Sequence, residues 1–390
     1  MMKEKKLVPK RRFKGSEGEW NTYNLGEKVE FFSGLTYSPN DAVLNDGTLV
    51  IRSSNIKNNQ IIDADNVYVN KQIVNSEQVR VGDIIVVVRN GSRDLIGKNA
   101  VVREEMTDTV IGAFMTGIRS KYYNFNNALL NTNLFKRQVA QNLGATINQI
   151  TIGMFNKMVF NFPNKEEQQK IGEFFKVLDE RIANKERKIA KVKALKSAYL
   201  TEMFPQEGET VPKRRFKEFT EEWNYCLLKE VINSEFKGRA KAEMLGGNSP
   251  YLDTDHLNGG EVSYVNLPKD VEKDDVLILW DGSQAGMVYH GFEGALGSTL
   301  KAYKPKYSGE YLYQFLKKNQ KVIFEQYRTP NIPHVINTFV DEFWICIPSI
   351  EEQQKIGQFF KNLDDQIRTE EKKLEKLKKM KEAYLEEMFV

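Results

Sequence analysis

The chain has 390 residues, and its 57 Lys and Arg against 53 Asp and Glu leave a net charge of +4, too small to name a binding partner. This length predicts two or three domains. The two cysteines exclude a disulfide framework and a cysteine-rich zinc site, and their scarcity predicts a cytoplasmic location. No stretch approaches the ~18 apolar residues of a membrane span, so we expect no membrane association.

The most informative feature of the sequence is an internal repeat. Residues 166–204 and 351–389 align without a gap at an offset of 185, and 24 of 39 positions are identical. The heptapeptide VPKRRFK occurs at 8–14 and again at 211–217. The chain therefore consists of two copies of one plan, each with a basic lead-in, a middle and a closing segment.

The first middle, roughly 28–165, predicts a mixed α+β domain. Strands are predicted over 48–56, 82–92 and 98–103, where β-branched residues are bounded by glycine and polar turns. A helix is predicted over 125–142.

The closing segment of the first half predicts a long helix. Apolar residues recur at steps of three and four from Ile171 to Met203, and no proline interrupts them. At ~1.5 Å per residue, a helix of about 38 residues spans roughly 57 Å, which is too long to lie under one small domain.

The second half repeats this order with different residues in its middle, roughly 231–350. A strand running into a glycine loop is predicted over 274–286 and a helix over 309–327, before the second closing helix. The two middles show little similarity, whereas the flanking segments are nearly constant. One scaffold with two different recognition surfaces explains this contrast; a duplication whose middles drifted neutrally is the alternative.

The predicted fold class is therefore α+β, with two globular domains separated by two long helices that form an antiparallel coiled coil in a pseudo-two-fold repeat. The predicted boundaries are a first domain at 1–165, a first spacer helix at 166–204, a linker at 205–210, a second domain at 211–350 and a second spacer helix at 351–390.

The sequence gives no support for catalysis by this chain. Its three histidines and two cysteines are too scattered for a metal cluster or a Cys/His nucleophile pair. The segment 91–99 superficially resembles a phosphate-binding loop, but its glycine spacing is one residue too long. It also has Asn99 where Ser or Thr would coordinate magnesium. We interpret it as a loop between strands.

The repeated EEQQKIG-x-FF-x-x-LD segment, the Trp-containing basic lead-ins and the IPSIEEQQKI run at 347–356 resemble one family closely. They are similar to the specificity subunit of type I restriction–modification enzymes. The resemblance covers 8–204 and 211–389. The first copy departs from the signature slightly and has FPNKEEQQ at 162–169.

This resemblance implies that each middle is a target recognition domain for one half of a bipartite sequence in double-stranded DNA. It implies as partners two modification subunits with adenine-N6 methyltransferase activity, and restriction subunits that add ATP-driven translocation and cleavage. S-adenosylmethionine, ATP and magnesium would belong to those partners, and this chain would hold no cofactor and no metal.

Because the middles differ, base-contacting residues do not carry over from the family, and we choose them by chemistry. Arg, Lys, Asn, Gln and Ser on loops recognise base edges, and basic side chains contact phosphates. Any single candidate is alternatively a solvated loop residue or a backbone cap. The candidates in the first middle are Arg52, Ser53, Asn55, Arg89, Asn90, Ser92, Arg93, Lys98, Thr146, Asn148 and Gln149. Those in the second are Asp253, Thr254, His256, Trp280, Asp281, Ser283, Gln284, Ser298, Thr299, Arg328, Asn331 and His334.

Three further expectations concern the constant segments. The basic runs at 10–12 and 213–215 either contact phosphates or are solvated linker. Lys185 and Glu370 form an opposite-charge pair near the helix crossing. A surplus of apolar residues packs either on the recognition domains or on a partner subunit. These residues are Phe174, Phe175, Leu200, Phe204, Phe359, Phe360, Leu385 and Phe389.

Two other functions remain open at this point. The chain is alternatively a coiled-coil adaptor with two protein-binding domains and no DNA binding, or an enzyme whose motifs are unfamiliar. Salt-sensitive binding of duplex DNA separates the first alternative from the specificity subunit. Catalytic turnover of a substrate by the isolated chain would identify the second alternative, an enzyme.

Overall fold

The computed structural model describes residues 7–143 and 148–390. The chain folds into two compact units. Unit 1 consists of 1–186 with 373–390, and unit 2 consists of 187–372. The two boundaries between the units, at 186/187 and 372/373, fall inside the long helices. The predicted domain limits had instead treated each long helix as a segment separate from the globular domains. Each unit therefore contains one middle, the first part of one long helix and the last part of the other.

The described elements of the first half follow in chain order. The strands are β1 (Asn21–Asn24), β2 (Glu30–Ser33), β3 (Ala42–Val43), β4 (Thr48–Ile51), β5 (Ile56–Lys57), β6 (Gln60–Ile61), β7 (Val67–Val69), β8 (Ile84–Val87), β9 (Asn99–Val101), β10 (Thr109–Ile111), β11 (Met115–Arg119) and β12 (Val159–Phe162). The helices are α1 (Tyr123–Leu130), α2 (Asn133–Asn142), α3 (Ile152–Lys157) and the long helix α4 (Lys165–Glu202).

The second half contributes a second set of elements. The strands are β13 (Asn224–Leu227), β14 (Ile232–Lys237), β15 (Leu245–Leu252), β16 (Tyr264–Val265), β17 (Val276–Leu279), β18 (Val288–His290), β19 (Ala295–Leu296), β20 (Leu300–Pro305) and β21 (Trp344–Ile347). The helices are α5 (Leu228–Val231), α6 (Thr254–Leu257), α7 (Gly309–Lys318), α8 (Gln320–Gln326), α9 (Phe339–Glu342) and the long helix α10 (Ile350–Glu387).

A four-stranded antiparallel sheet in the order β2–β11–β8–β9 separates two apolar layers of unit 1. Successive side chains of a strand point to opposite faces. Ile84 and Val86 accordingly join the cluster formed with α1 to α3, while Ile85 and Val87 join the cluster on the opposite face. That second cluster includes β4 and β10 of the sheet β10–β4–β7–β3. This double burial explains why β8 is apolar at every position.

Unit 2 repeats this arrangement. Its main sheet has the order β14–β20–β17–β18, and Val276 and Ile278 pack with α7 and α8 while Leu277 and Leu279 face the sheet β16–β15–β19. The parallel pairing of β4 with β10 recurs between β15 and β19. The antiparallel pair β1–β12 recurs as β13–β21. The two middles thus share a topology despite their dissimilar sequences, and the α+β fold class is confirmed.

Two glycines in each unit allow the main sheet and the second sheet to approach closely. A Cβ atom at Gly34 would lie 2.0 Å from the carbonyl oxygen of Gly112, and one at Gly238 would lie 2.1 Å from that of Gly297. Only glycine fits such contacts without moving the backbone. The matching close approach in both units fixes the segments that follow Gly112 and Gly297.

The predicted helices over 125–142 and 309–327 are each interrupted once. Thr132 ends the first, because its hydroxyl accepts a hydrogen bond from Phe135 N (3.2 Å) and so caps a new helix, α2. Asn319 separates α7 from α8, and its side-chain amide donates to Phe315 O (2.9 Å). The predicted strand over 48–56 is likewise shorter than expected and ends at Ile51.

Each basic lead-in is bound to the start of a long helix by a nearly buried ion pair. The guanidinium of Arg12 donates twice to the carboxylate of Glu167 (2.7 Å each), and Arg215 donates twice to Glu352 (2.8 and 2.7 Å). Both carboxylate side chains are only 1% exposed. These two arginines are therefore neither phosphate contacts nor solvated linker, as had been expected of the basic runs.

The long helices pack antiparallel within unit 1. Asp179 of α4 binds Lys381 of α10 (2.6 Å), and Glu186, further along α4, binds Lys378, which lies earlier in α10 (2.5 Å). The pairing positions therefore rise along one helix as they fall along the other.

The same two pairs recur in unit 2 at the 185-residue offset. Lys196 binds Asp364 (2.6 Å) and Lys193 binds Glu371 (2.6 Å). Glu370 is only 8% exposed at its side chain and accepts a hydrogen bond from Lys188 (3.0 Å). The described partner of Glu370 is thus three residues beyond the expected Lys185, and pairing of Lys185 with Glu370 stays a prediction.

Most of the apolar surplus on the long helices lies inside the units. Phe174, Leu200 and Phe359 are partly buried, and Phe174 packs edge-on against Phe13 and Tyr384. The other five join the cores beneath the recognition domains, which leaves them no surface for a partner. These buried residues are Phe175, Phe204, Phe360, Leu385 and Phe389.

Unit 2 contains a polar network that links β18 to both long helices. His290 lies between Glu310 (3.2 Å) and Asp274 (3.8 Å) and stacks on Tyr313. Gln314 continues the network by donating to Glu310 (2.9 Å) and to Asp364 of α10 (2.9 Å). Burial alone would lower the pKa of His290, but the two carboxylates outweigh it and raise that pKa to about 9.

We expect Arg12→Ala to lower the free energy of unfolding by ~3 kcal/mol, because the Glu167 carboxylate is left buried and unpaired. The matched control is Arg11→Ala, whose ion pair with Glu387 is exposed and screened by solvent, so its loss should change stability little. The double variant Arg12→Met, Glu167→Leu should lose less than Arg12→Ala, since no charge remains unpaired. Urea denaturation of the full chain measures all three, and equal losses for Arg11→Ala and Arg12→Ala would contradict this role.

We also expect His290 to make stability depend on pH. Its pKa in the folded chain, about 9, lies above the ~6.5 of an unfolded histidine. The stabilisation is therefore complete below about pH 6.5 and is lost as the pH rises through 9, with a size on the order of 3 kcal/mol. The difference in unfolding free energy between the wild type and His290→Gln, measured from pH 6 to 10, should shrink over this window. A constant difference would show that the imidazolium is not the stabilising form.

Candidate nucleic-acid interface

Three segments of unit 1 meet where β8 ends, and two of them contain predicted interface residues. The backbone N–H groups of Val88 and Arg89 both donate to Phe114 O (2.9 and 3.2 Å), and Ile150 N donates to Val88 O (2.9 Å). Arg89 also forms a β-bridge with Gln149. These bonds hold the segments 88–93, 113–114 and 148–150 together at one edge of the domain.

Unit 2 has the same set of bonds where β17 ends. Trp280 N and Asp281 N both donate to Thr299 O (2.8 and 3.1 Å), and Val335 N donates to Trp280 O (2.9 Å). Asp281 forms a β-bridge with His334. We call this shared hydrogen-bond pattern the loop frame; it comprises 88–93, 113–114 and 148–150 in unit 1, and 280–284, 298–299 and 332–335 in unit 2.

The loop frame defines equivalent positions without any sequence alignment. The backbone bonds are the same in both units, but the side chains they carry have different chemistry. A cation, an aromatic ring and an amide in unit 1 correspond to an anion, a hydroxyl and an imidazole in unit 2. The equivalent pairs are Arg89 with Asp281, Phe114 with Thr299, and Gln149 with His334.

Polar side chains close the loop frame of unit 1. Asn90 donates to the hydroxyl of Ser53 (3.2 Å) and accepts from Ser92 N (2.9 Å). Asn148 donates to Gly91 O (3.1 Å). These contacts bring four predicted residues into one cluster: Ser53, Asn90, Ser92 and Asn148. The side-chain amides of the two asparagines shape the loop.

Other predicted residues of unit 1 have structural partners. Asn55 is 2% exposed and donates to Ala64 O (2.6 Å), so it is a buried support of its loop and is not available to a base, contrary to expectation. Arg52 binds the Asp65 carboxylate (2.8 Å), and Arg93 donates to Leu143 O (3.3 Å).

The remaining predicted residues of this middle are less constrained. Lys98 and Gln149 are half-buried. Thr146 lies outside the described residues, so its place in the interface stays a prediction.

Phe114 is a candidate that the sequence did not indicate. Its ring is 54% exposed, and the Arg89 guanidinium lies 5.0 Å from the ring centroid. The ring follows Gly112 on a short turn, and nothing in the surrounding sequence distinguishes it from a core phenylalanine. Only the backbone bonds to Val88 and Arg89 bring it into the loop frame.

Asp281 and Trp280 have different roles in unit 2. The Asp281 carboxylate accepts a hydrogen bond from Lys237 (2.8 Å), and both side chains are nearly half exposed. Trp280 is only 4% exposed, and Lys301 lies over its ring at 3.6 Å. Trp280 therefore supports the loop from the core and cannot stack on a base, which corrects its prediction as a DNA contact.

The segment that contains Arg328 is bound to the glycine loop after β17. Arg328 donates to Ser283 O (3.2 Å), and Gly282 N donates to Pro333 O (2.9 Å). His334 Nδ1 contacts the Thr329 hydroxyl (3.0 Å). The predicted residues Gln284 and Asn331 are exposed on this surface.

Asp253 and its neighbours lie beside the loop frame. Asp253 caps the short helix α6 by accepting from His256 N (2.8 Å), and His256 packs against Phe292. Thr254 is exposed, and Ser298 N donates to Ala240 O (2.9 Å). Asp253 and His256 therefore have at least a partly structural role.

Two features are absent from the described parts of the chain. Within 7–143 and 148–390, no three His, Cys, Asp or Glu side chains are placed to hold a metal ion. In the same residues, no helix combines the length and the apolar character that a membrane span requires.

Comparison with known proteins identifies the family. Residues 17–194 and 220–379 each match the family model described as the type I restriction modification DNA specificity domain. Because the two matches together cover most of the chain, it belongs to this family and carries two such domains. The resemblance predicted from the repeat is confirmed.

Two curated relatives are similar to this chain over part of their length. The type I restriction enzyme MjaVIII specificity subunit of Methanocaldococcus jannaschii is 32% identical over 180 residues, which are 43% of this chain and 42% of the relative. The StySPI specificity subunit of Salmonella potsdam is 24% identical over 284 residues, or 67% of this chain and 61% of the relative. The chain thus spans less than two thirds of either relative.

A solved structure shows the same fold over nearly the whole chain. The type I restriction-modification system S subunit from M. genitalium has a TM-score of 0.72 and covers 98% of this chain and 99% of its own. Sequence identity between the two is 17%, so the likeness concerns the fold alone.

Proposed function

We propose that this chain is the DNA-binding specificity subunit of a type I restriction–modification complex and that each unit recognises one half of a bipartite duplex target. The observation that carries this proposal is the loop frame. The same backbone pattern occurs twice in a member of the DNA specificity family, and each copy presents different polar side chains. Two equivalent surfaces with different chemistry are what two different half-sites require.

The exposed groups of the two loop frames suit base edges. Arg, Asp, Asn and Gln side chains are those that distinguish base pairs in the major groove. Lys237, Arg239 and Lys241 of unit 2 are exposed, and Lys237 binds the Asp281 carboxylate, so this segment is suited to phosphate contacts. The small net charge of the protein is compatible with DNA binding, because phosphate contacts depend on the local charge of the surface.

Catalysis belongs to other subunits in this proposal. Two modification subunits supply adenine-N6 methyltransferase activity with S-adenosylmethionine, and restriction subunits supply ATP- and magnesium-dependent translocation and cleavage. This chain itself holds no cofactor and works in the cytoplasm. The names of its relatives, which are specificity subunits of type I restriction enzymes, support this division of labour. Phe174, Leu200 and Phe359 keep some surface that a modification subunit can cover.

Mapping of N6-methyladenine in DNA from cells with and without this chain tests the proposal. A split motif should appear only with the chain present, and the purified chain alone should neither methylate nor cut DNA. Replacing residues 231–350 with the second middle of a relative of different specificity should change one half of the motif only. The unchanged half serves as the internal control for folding and assembly. No split motif, or a change in both halves after one replacement, would contradict the proposal.

A further inference from the structure

We infer that Arg89 recognises a guanine in one half-site and that Asp281, at the equivalent position of unit 2, recognises a cytosine in the other. This inference rests on the proposed function and specifies its chemistry. The two residues occupy the same place in the loop frame, directly after a buried strand, but they offer opposite hydrogen-bonding groups. One presents only donors and the other only acceptors.

Arg89 has its side-chain donors available, whereas Arg93 of the same loop already donates to Leu143 O (3.3 Å). Arg89 is exposed, and no described residue accepts a hydrogen bond from its guanidinium. The neighbouring amides of Asn90 and Asn148 are occupied, because they bind Ser53 and Gly91 O and so fix the loop. Asn90 and Asn148 therefore fix the loop that presents Arg89.

Phe114 orients the Arg89 side chain. Its ring lies 5.0 Å from the guanidinium carbon, a distance at which a cation is attracted to the face of an aromatic ring. This contact restrains a flexible side chain before DNA binds, which reduces the entropy lost on binding. A planar, pre-oriented guanidinium matches the O6 and N7 acceptors of guanine with two parallel hydrogen bonds.

Asp281 requires the opposite base chemistry. Its backbone N–H is bonded to Thr299 O and one carboxylate oxygen accepts from Lys237, so the carboxylate has acceptor capacity left and no donor. In the major groove, a carboxylate accepts from the N4 amino group of cytosine. The ammonium group of Lys237 offsets the repulsion between this carboxylate and DNA phosphates.

The test is methylation mapping in cells that carry single variants in place of the wild-type chain. The wild-type motif should contain guanine in one half and cytosine on the strand contacted in the other. Arg89→Gln should reduce discrimination for that guanine about ten- to hundredfold, with adenine accepted, because Gln binds adenine N6 and N7. Asp281→Asn should shift the other half from cytosine towards adenine for the same reason. In each variant the opposite half-site should stay unchanged.

Matched controls separate base recognition from general effects of charge. Arg137→Gln removes an exposed arginine elsewhere in unit 1, and Asp341→Asn breaks an exposed ion pair with Lys229 (3.0 Å) that resembles the pair of Asp281 with Lys237. Both should leave the motif intact. Lys237→Met should lower methylation at every site without changing the motif, as expected of a phosphate-neutralising residue.

The outcomes are distinguishable. If the wild type produces no split motif, the proposed function itself fails. If it produces a motif that Arg89→Gln and Asp281→Asn leave unchanged, the function stands and this inference is overturned. If Arg89→Gln abolishes all methylation, Arg89→Lys decides the question, because lysine also donates to guanine and should restore the same motif. A motif with a base other than guanine at that position in Arg89→Lys, or methylation with no preference there, would overturn the assignment.

Discussion

Each unit depends on a nearly buried arginine–glutamate pair that binds a lead-in to the first turn of a long helix. Arg12 with Glu167, and Arg215 with Glu352, place two charges where two mutual hydrogen bonds help to compensate for lost hydration. The geometry is bidentate, so it also fixes orientation. Because the lead-in carries Trp20 or Trp223 into the core, the pair determines where the helix begins relative to the recognition domain.

The same constraint explains why the constant and variable parts of the sequence are distributed as they are. Helix-start carboxylates, lead-in arginines and the packed aromatic residues of the helices have specific partners and tolerate little change. The loop frame, in contrast, is made of backbone hydrogen bonds, which any residue except proline can donate. Its side chains can therefore differ completely between units, as Arg89 and Asp281 do, while the loops stay in place.

The long helices and the fold class were predictable because helical periodicity and an ungapped repeat are local signals. The interruptions at Thr132 and Asn319 depend on single capping bonds, and a periodic pattern does not reveal them. The burial of Asn55 and Trp280 and the ion pairs of Arg12 and Arg215 involve partners distant in sequence, so spacing alone could not separate them from interface residues.

Phe114 illustrates the opposite error, because an exposed aromatic residue and a core residue look alike in a sequence. Residues of the predicted segments 89–93 and 146–149 meet in the loop frame of unit 1, while other predicted residues, such as Asn55, turn inward to support the loops. Glycine and polar residues after a buried strand indicate where a loop begins; they do not indicate which side chain faces outward.

If the two equivalent loop frames contact DNA, a bound duplex should protect both of them. Hydrogen exchange of the full chain, alone and with a duplex carrying the split motif mapped in cells, measures this protection. We expect slower exchange on DNA binding at 88–93 and 148–150 in unit 1 and at 280–284 and 332–335 in unit 2. A duplex with both half-sites scrambled should produce a weaker effect. Slower exchange confined to the long helices, with both loop frames unchanged, would show that the loop frames are not the DNA-contacting surfaces.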